Sequence, residues 1–430
     1  MRSSLSPALI LLITATATSF ATDEFELPPI EYSKSTPDNP ITQLQSRIDR
    51  GEAELAYEER FGYLPSLLKA LKIRPDSQTL VFSKTSMQRH LIAPHTPRAL
   101  YFNDDVYLGY CHESRILEIS VADPLLGAVF YTLDQESTTK LHFERQTDNC
   151  LLCHGTGQTD YIPGHRIRSL FVDRTGTPIL SQGSRRVDYT TPLEQRWGGW
   201  YVSGTHGSQS HLGNLIVSDP TRDPPYDNAG GHNIVDLRGR FSARDYLTGH
   251  SDIVALMVLE HQVEMHNLLT KASFTARQAL YYEVEFNRSL GELAGNRLES
   301  TTRRIKIAGD RLLEGLLYAN EAPIRAPILG STEFAANFSQ TGPRDRRGRS
   351  LRDFDLTTRM FKFPCSYLIY SKSFDRLPAE MRGYVVARLH DILVGKDQDS
   401  AFAHLSRDDR RAILDILEET KPGLWADQEK

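Results

Sequence analysis

The apolar positions of this 430-residue chain change period twice. From Ile41 to Ile73 they recur three and four residues apart, the spacing of a buried helix face, and Pro65 suits the first turn of a second helix. The stretch before them, residues 22–40, is acidic and proline-bearing and reads as a flexible leader. The period then falls to two. Thr79–Ser83, Arg98–Phe102, Val106–Tyr110, Ile116–Val121 and Ala128–Leu133 are short and rich in β-branched and aromatic residues. Turn residues separate them, at Asn103-Asp104-Asp105, Glu113-Ser114 and Asp123-Pro124. Such short connections predict an antiparallel meander, because parallel crossovers need longer links. Further on, Ile167–Asp173 and Pro178–Ser181 flank Arg174–Thr177 as a second hairpin, and Gly198–Val202 and Leu212–Val217 read as two more strands. Pro220–Gly231 is a turn-rich loop.

At Tyr246 the period returns to helical. Asp252–Leu269, Thr275–Leu290, Thr301–Leu317, Pro378–Val394 and Ser406–Thr420 are the expected helices, the first capped by Ser251 or Asp252. Gly342–Asp353 is arginine-heavy and reads as a solvated loop; Phe361–Tyr370 is apolar and aromatic. The expected fold class is α+β, an antiparallel β-rich region followed by a helical one. The expected division is a signal peptide at 1–21, a leader with N-terminal helices at 22–75, a β-rich domain at 76–245 and a helical domain at 246–430.

One pentapeptide adds chemistry. Cys150-Leu-Leu-Cys-His154 is the attachment pattern of a c-type haem. Each thiol adds across one vinyl of the porphyrin, and the histidine supplies the proximal imidazole. A structural zinc site usually needs a second Cys-x-x-Cys knuckle, and none exists. A thioredoxin-like pair belongs in a βαβ unit, whereas Asp148-Asn149 and Gly155-Thr156-Gly157 read as loop. The N-terminus agrees with haem attachment outside the cytoplasm. Met1-Arg2, the apolar Leu5–Ile13 and Ser19-Phe20-Ala21 read as a cleavable export signal, leaving Thr22 first in the mature, periplasmic or otherwise exported chain. No later segment is apolar enough for a transmembrane anchor.

The net charge of −5 argues against nucleic acid as a partner. No Gly-x-Ser-x-Gly elbow and no Gly-x-x-x-x-Gly-Lys-Ser/Thr loop is present. Cys111 and Cys365 remain outside the haem motif, as a disulfide or as two separately buried thiols.

The ligand opposite the proximal histidine sets the haem chemistry. No methionine lies between Cys150 and Met257. His206, in the glycine-flanked Trp197–Gly207 segment, is the first choice as distal ligand, with His165, Met265 and His261 as alternatives; His211 ranks below them. Glu260-His-Gln-Val-Glu-Met-His-Asn267 places His261 and Met265 on one helix face and Glu260 and Glu264 on the adjoining one. That stripe could pack on the β region, serve the haem, or hold a second metal with Glu283 and Glu285. Arg166, Arg168, Arg185 and Arg186 are candidate partners for haem propionates. Arg344–Arg352 could meet an acidic redox partner, although a solvated loop is the simpler reading.

Several segments carry a resemblance: Arg145–His154, Pro163-Gly-His165, Arg196–Tyr201, Gly204–Gly207, Glu260-His-Gln262, Met265-His-Asn267 and Pro364–Tyr370. On them the chain resembles large exported bacterial proteins described as cytochrome c domain-containing. The resemblance implies one covalent haem c on Cys150, Cys153 and His154, and electron transfer as the default activity. The motif sits mid-chain after strands, unlike that of small all-helical cytochromes c. The expected function is a single-haem electron carrier, exchanging electrons with a redox partner protein or a small-molecule donor or acceptor. A peroxidase-like haem oxidoreductase and a haem-based redox or gas sensor are the alternatives.

Overall fold

The computed structural model describes residues 23–137, 140–293 and 295–426. The expected signal peptide, residues 1–21, lies outside the described residues. The fold is α+β. Its centre is an antiparallel seven-stranded sheet. Five strands form the expected meander: β1 (Thr79–Val81), β2 (Arg98–Phe102), β3 (Val106–Tyr110), β4 (Ile116–Asp123) and β5 (Gly127–Asp134). A further strand, β6 (Phe143–Gln146), adds to β5, as Leu133 pairs with Phe143. The small ribbon of β7 (Arg168–Ser169) and β8 (Arg185–Arg186) follows. Next, β9 (Trp200–Tyr201) closes the other edge against β1, so the order is β6-β5-β4-β3-β2-β1-β9. Finally β10 (Gly204–Thr205) pairs with β11 (Leu329–Gly330).

Alternation along the strands gives the sheet two buried faces. On one, Leu80, Tyr101, Leu108, Ile119 and Val129 share a core with Ile41 and Leu44 of α1 (Pro40–Asp49) and with Leu64 and Leu67 of α2 (Leu64–Ala70). The segment read as a flexible leader joins this core from Asp23 onward. Phe25, Ile30 and Tyr32 are buried, and the Tyr32 hydroxyl donates to the Ala128 carbonyl at 2.9 Å. Three well-spaced apolar side chains outweigh the acidic composition of that stretch.

On the other face Val81, Phe102, Tyr107 and Trp200 pack with the helical half. The segment with the Cys-x-x-Cys-His spacing forms a one-turn helix, α3 (Leu151–His154). The two helices expected at Asp252–Leu269 and Thr275–Leu290 are one, α4 (Ile253–Ser289), 37 residues long. The intervening Thr270–Phe274 holds neither glycine nor proline, so nothing stops the hydrogen-bond ladder. Around α4 stand α5 (Glu299–Leu316), α6 (Phe334–Gln340), the one-turn α7 (Lys372–Asp375), α8 (Ala379–Leu393) and α9 (Arg407–Thr420). The described part of the helical half therefore shares its core with the sheet.

Three expectations are met only in part. The hairpin about Arg174–Thr177 is short: Val172 bridges Pro178, Asp173 N donates to the Thr177 carbonyl and Ile179 N to the Phe171 carbonyl, while Arg168–Ser169 pairs with Arg185–Arg186. Leu212–Val217 forms no strand; Val217 makes a single parallel bridge to Asp173, donating its N–H to the Val172 carbonyl. The arginine-heavy loop is not wholly solvated. Arg352 is buried, lies over the Phe338 and Tyr367 rings, and pairs with Asp104. Cys111 and Cys365 are buried free thiols.

Asp252 fixes the start of α4. Its carboxylate accepts from Val254 N (2.8 Å) and Ala255 N (3.3 Å), and from the Thr332 N–H and hydroxyl, both at 2.8 Å. Asp252→Ala therefore removes a helix cap and a tie to residue 332, and should cost about 2 kcal/mol of unfolding free energy in urea titrations. An unchanged midpoint would contradict this role.

Candidate functional site

A cavity of about 900 Å³ opens between the second sheet face, α4 and the segment 149–168. Its apolar lining includes Val81, Leu100, Phe130, Trp200, Leu259 and Val263. Cys150, Cys153 and His154 line it together. The one-turn helix explains why. Leu151 N donates to the Asp148 carbonyl (3.0 Å), and His154 N and Gly155 N donate to the carbonyls of Cys150 and Leu151. Helical spacing puts residues three and four apart on one side, so both thiols and the imidazole share a wall. Gly155 lets the turn seat on Phe25: a Cβ there would lie 3.1 Å from the ring.

The geometry of His154 is specific. Its Nδ1 lies 2.9 Å from the Gly164 carbonyl, and Gly164 N donates back to the His154 carbonyl at 2.8 Å. A carbonyl only accepts, so Nδ1 carries the hydrogen and Nε2 of the neutral ring keeps its lone pair. Burial holds His154 down to about 4, against a raising contribution from the Gly164 carbonyl, so the ring is neutral at pH 7. An imidazole oriented through Nδ1–H with Nε2 bare is the arrangement of a metal ligand.

Gly164 is held in turn by α4. The Asn267 side chain accepts from His165 N (2.9 Å) and donates to the His165 carbonyl (2.8 Å). A Cβ on Gly164 would come within 2.7 Å of Asn267 Oδ1, so the close approach requires glycine. Two segments a hundred residues apart, Pro163–His165 and Met265–Asn267, thus meet to aim one imidazole.

The sheet supplies the cavity floor. Leu100, Gly109, Glu118 and Thr132 are paired in a row across β2 to β5. Arg98 reaches across the space left by Gly109 to pair with Glu118. Sequence reading missed this pair. Its signal was the polar alternation of Glu118 and Ser120 along β4, which resembles a solvent face until a second layer covers it.

The side chains considered for the position opposite His154 are not brought together. His206 does not line the cavity. It packs against His211 and His232, with ring centroids 4.6 and 5.4 Å away, and its Nε2 accepts from Asn233 N at 3.2 Å. The glycine-flanked loop carries it past β9 to the β10–β11 ribbon instead. His261 stacks on Tyr318 at 4.3 Å, with Nε2 bonded to the Ser366 hydroxyl, so it faces the helical half. Met265 faces α5, where a Cβ on Gly315 would lie 2.9 Å from its sulfur. Of the four, His165 alone lines the cavity. Its ring lies 4.5 Å from Tyr107, it is buried, and Nε2 has no hydrogen-bond partner. Burial pushes its pKa well below the ordinary value.

The polar stripe of α4 is spent on packing. Glu260 pairs with Arg196 at 2.9 Å, and Glu264 pairs with Arg186. Gln262 donates to the Tyr107 hydroxyl (2.9 Å) and accepts from that of Tyr367 (2.8 Å); His266 Nδ1 is 2.9 Å from the same Tyr107 oxygen. Glu283 pairs with Arg297 and Glu285 with Arg288. Among the described residues no group of three or more His, Cys, Asp or Glu side chains is placed to hold a second metal ion. None of the described helices is long and apolar enough to cross a membrane.

Comparison of the chain with known protein families, with curated proteins and with solved structures gave no match.

The buried histidines set an acid response. Burial lowers His154 to about 4, His261 and His266 to about 3, and His165 well below its ordinary value. Well above pH 6.5 these rings are neutral in both folded and unfolded chains and add no pH dependence. Below that value the unfolded chain takes up protons that the folded one refuses, so stability falls. Buried carboxylates act the other way, since Glu260 and Glu321 are pushed up to about 7 by burial and gain protons in the folded chain first. The histidine contribution is therefore isolated by comparison: between pH 7.5 and 4.5 the urea midpoint of haem-free His266→Gln should fall less, or rise more, than that of the wild type. Parallel pH profiles for the two chains would contradict the burial of a neutral imidazole at residue 266.

Proposed function

We propose that the protein is an exported single-haem c-type cytochrome, with haem c bound through thioethers to Cys150 and Cys153 and through iron to His154. The observation that carries the reading is the His154 imidazole, tied through Nδ1 to the Gly164 carbonyl and free at Nε2 on the wall that also holds both thiols. The donor set matches the group: two free cysteines three apart, one neutral nitrogen, and an apolar enclosure of suitable volume. Bound haem supplies an iron that cycles between ferric and ferrous states. The chain's own residues hold it, shield it from water and fix its environment. Val81, Leu100, Leu259 and Val263 keep the enclosure apolar. Phe130 packs against the His154 ring at 4.9 Å and limits its rotation. His165 is the candidate second axial imidazole, replacing His206, because it is on the cavity wall with an unsatisfied Nε2. Two imidazoles favour electron transfer over ligand binding and lower the potential relative to a His/Met pair. Electrons would pass to and from a partner protein or a small-molecule donor or acceptor.

Expression in a host able to attach haem c tests this directly. The wild-type protein should be coloured, keep its haem under denaturing conditions and give the pyridine haemochrome of two saturated vinyls. Cys150→Ala/Cys153→Ala should abolish covalent attachment. A colourless wild-type protein from such a host would refute the reading.

The axial assignment has its own test. His165→Ala should convert a low-spin, carbon monoxide-indifferent spectrum to one that binds carbon monoxide rapidly, whereas His206→Ala should leave the spectrum unchanged. The reverse pattern would return the distal role to His206. Rapid carbon monoxide binding by reduced wild-type protein would favour a haem oxidoreductase or gas sensor.

A further inference from the structure

The charges on the cavity wall are unevenly matched. Arg98 has its counter-ion in Glu118. Arg186, just outside, pairs with Glu264 and Asp160. Arg185 is exposed and does not line the cavity. Arg166 and Arg168 differ from all of these. Both line the cavity, and neither pairs with a carboxylate among the described residues. The contacts they do make are neutral: Arg166 reaches the Gln158 side chain at 3.4 Å, and Arg168 Nε reaches the Ser184 hydroxyl at 2.8 Å. Arg166 Nε is buried with no partner at all.

Their backbone is well fixed. His165 is clamped by Asn267, and the Arg168 carbonyl accepts from Trp200 Nε1 at 2.8 Å. The intervening Ile167 is buried, so the alternation of an extended segment turns residues 166 and 168 the same way. Two half-buried guanidiniums on a common wall, without counter-ions, lose hydration and repel one another. A carboxylate or other oxyanion between them restores both losses through forked, charge-assisted hydrogen bonds.

We propose that Arg166 and Arg168 form an anion clamp in the cavity, built to hold carboxylate groups. The carboxylates can come from two sources: the propionates of the haem itself, which is the case that rests on the function proposed above, or a separate carboxylate ligand entering beside it. The clamp also separates the four arginines of this region by role. Arg186 ties the loop to α4 and Arg185 faces solvent, leaving 166 and 168 for the ligand.

The double variant Arg166→Gln/Arg168→Gln tests the clamp, with Arg185→Gln as a control that removes a neighbouring charge outside the cavity. Haem content of each purified full-length protein is measured first. If propionates fill the clamp, the double variant's haem should have a lower midpoint potential, because removal of cations stabilises the oxidised iron. The shift should amount to roughly a tenfold change in the ratio of oxidised to reduced protein at fixed potential. Citrate should then have no effect on the haem-loaded wild type. If the clamp receives a separate ligand, citrate should bind the wild type in calorimetry at low ionic strength, and the double variant should bind at least about tenfold more weakly. Arg185→Gln should change neither readout. An unchanged potential together with citrate binding that is absent, or equal in the wild type and the double variant, would overturn the clamp. A chain that carries no haem refutes the proposed function but not the clamp, since citrate binding to that haem-free chain still decides it: loss in the double variant supports the clamp, and no difference overturns it.

Discussion

A single hydrogen bond, from His154 Nδ1 to the Gly164 carbonyl, fixes the state of the imidazole on the cavity wall. It selects the tautomer, aims the ring and leaves one nitrogen bare inside an apolar enclosure. The sheet, the long helix and the N-terminal segment each contribute to holding it. Ala128 N donates to the Pro163 carbonyl, which anchors residue 163 to β5. Asn267 on α4 clamps residue 165. Phe25 backs Gly155 at the end of the turn. No single element could place the imidazole alone, so its position depends on residues from Phe25 to Asn267.

The cost of this arrangement appears in the buried polar groups. Taking Glu260, Glu264, Gln262, His266 and Asn267 out of water is unfavourable unless each finds a partner. All five do. Arg196, Arg186, Tyr107, Tyr367 and the residue 165 backbone answer them across the interface between α4 and its surroundings. A sheet against a purely apolar helix face could slide. Directional bonds specify one register, and that register sets where the cavity opens. The interface is therefore both the join between the two halves and the frame of the site.

Much of the architecture was legible in the sequence, and the exceptions have physical causes. Strands β1 to β5 alternate clearly and end at strong turn residues, so periodicity located them. Strand β6 was hidden because Phe143-Glu-Arg-Gln146 is short and polar and pairs only because Leu133 offers an edge. The long α4 was split because its apolar pattern weakens near Thr270, where packing and not periodicity maintains the helix. At the site, the turn that puts Cys150, Cys153 and His154 on one wall could be read from spacing alone. The far side of the cavity could not. His206 had glycine and tryptophan neighbours suited to a macrocycle, but the turn after β9 carries it to a separate histidine cluster. Which buried imidazole meets the cavity depends on the crossing of α4 over the sheet, and no local pattern encodes that crossing.

The central claim is that this cavity holds a porphyrin joined to Cys150 and Cys153 with His154 on the iron. Intact-mass spectrometry of the denatured protein, after maturation in a host competent for haem c attachment, addresses it most directly. The account predicts a mature chain heavier by one haem, with the added mass localised to the peptide containing residues 150–153. A chain of unmodified mass, or haem lost on denaturation, would contradict it.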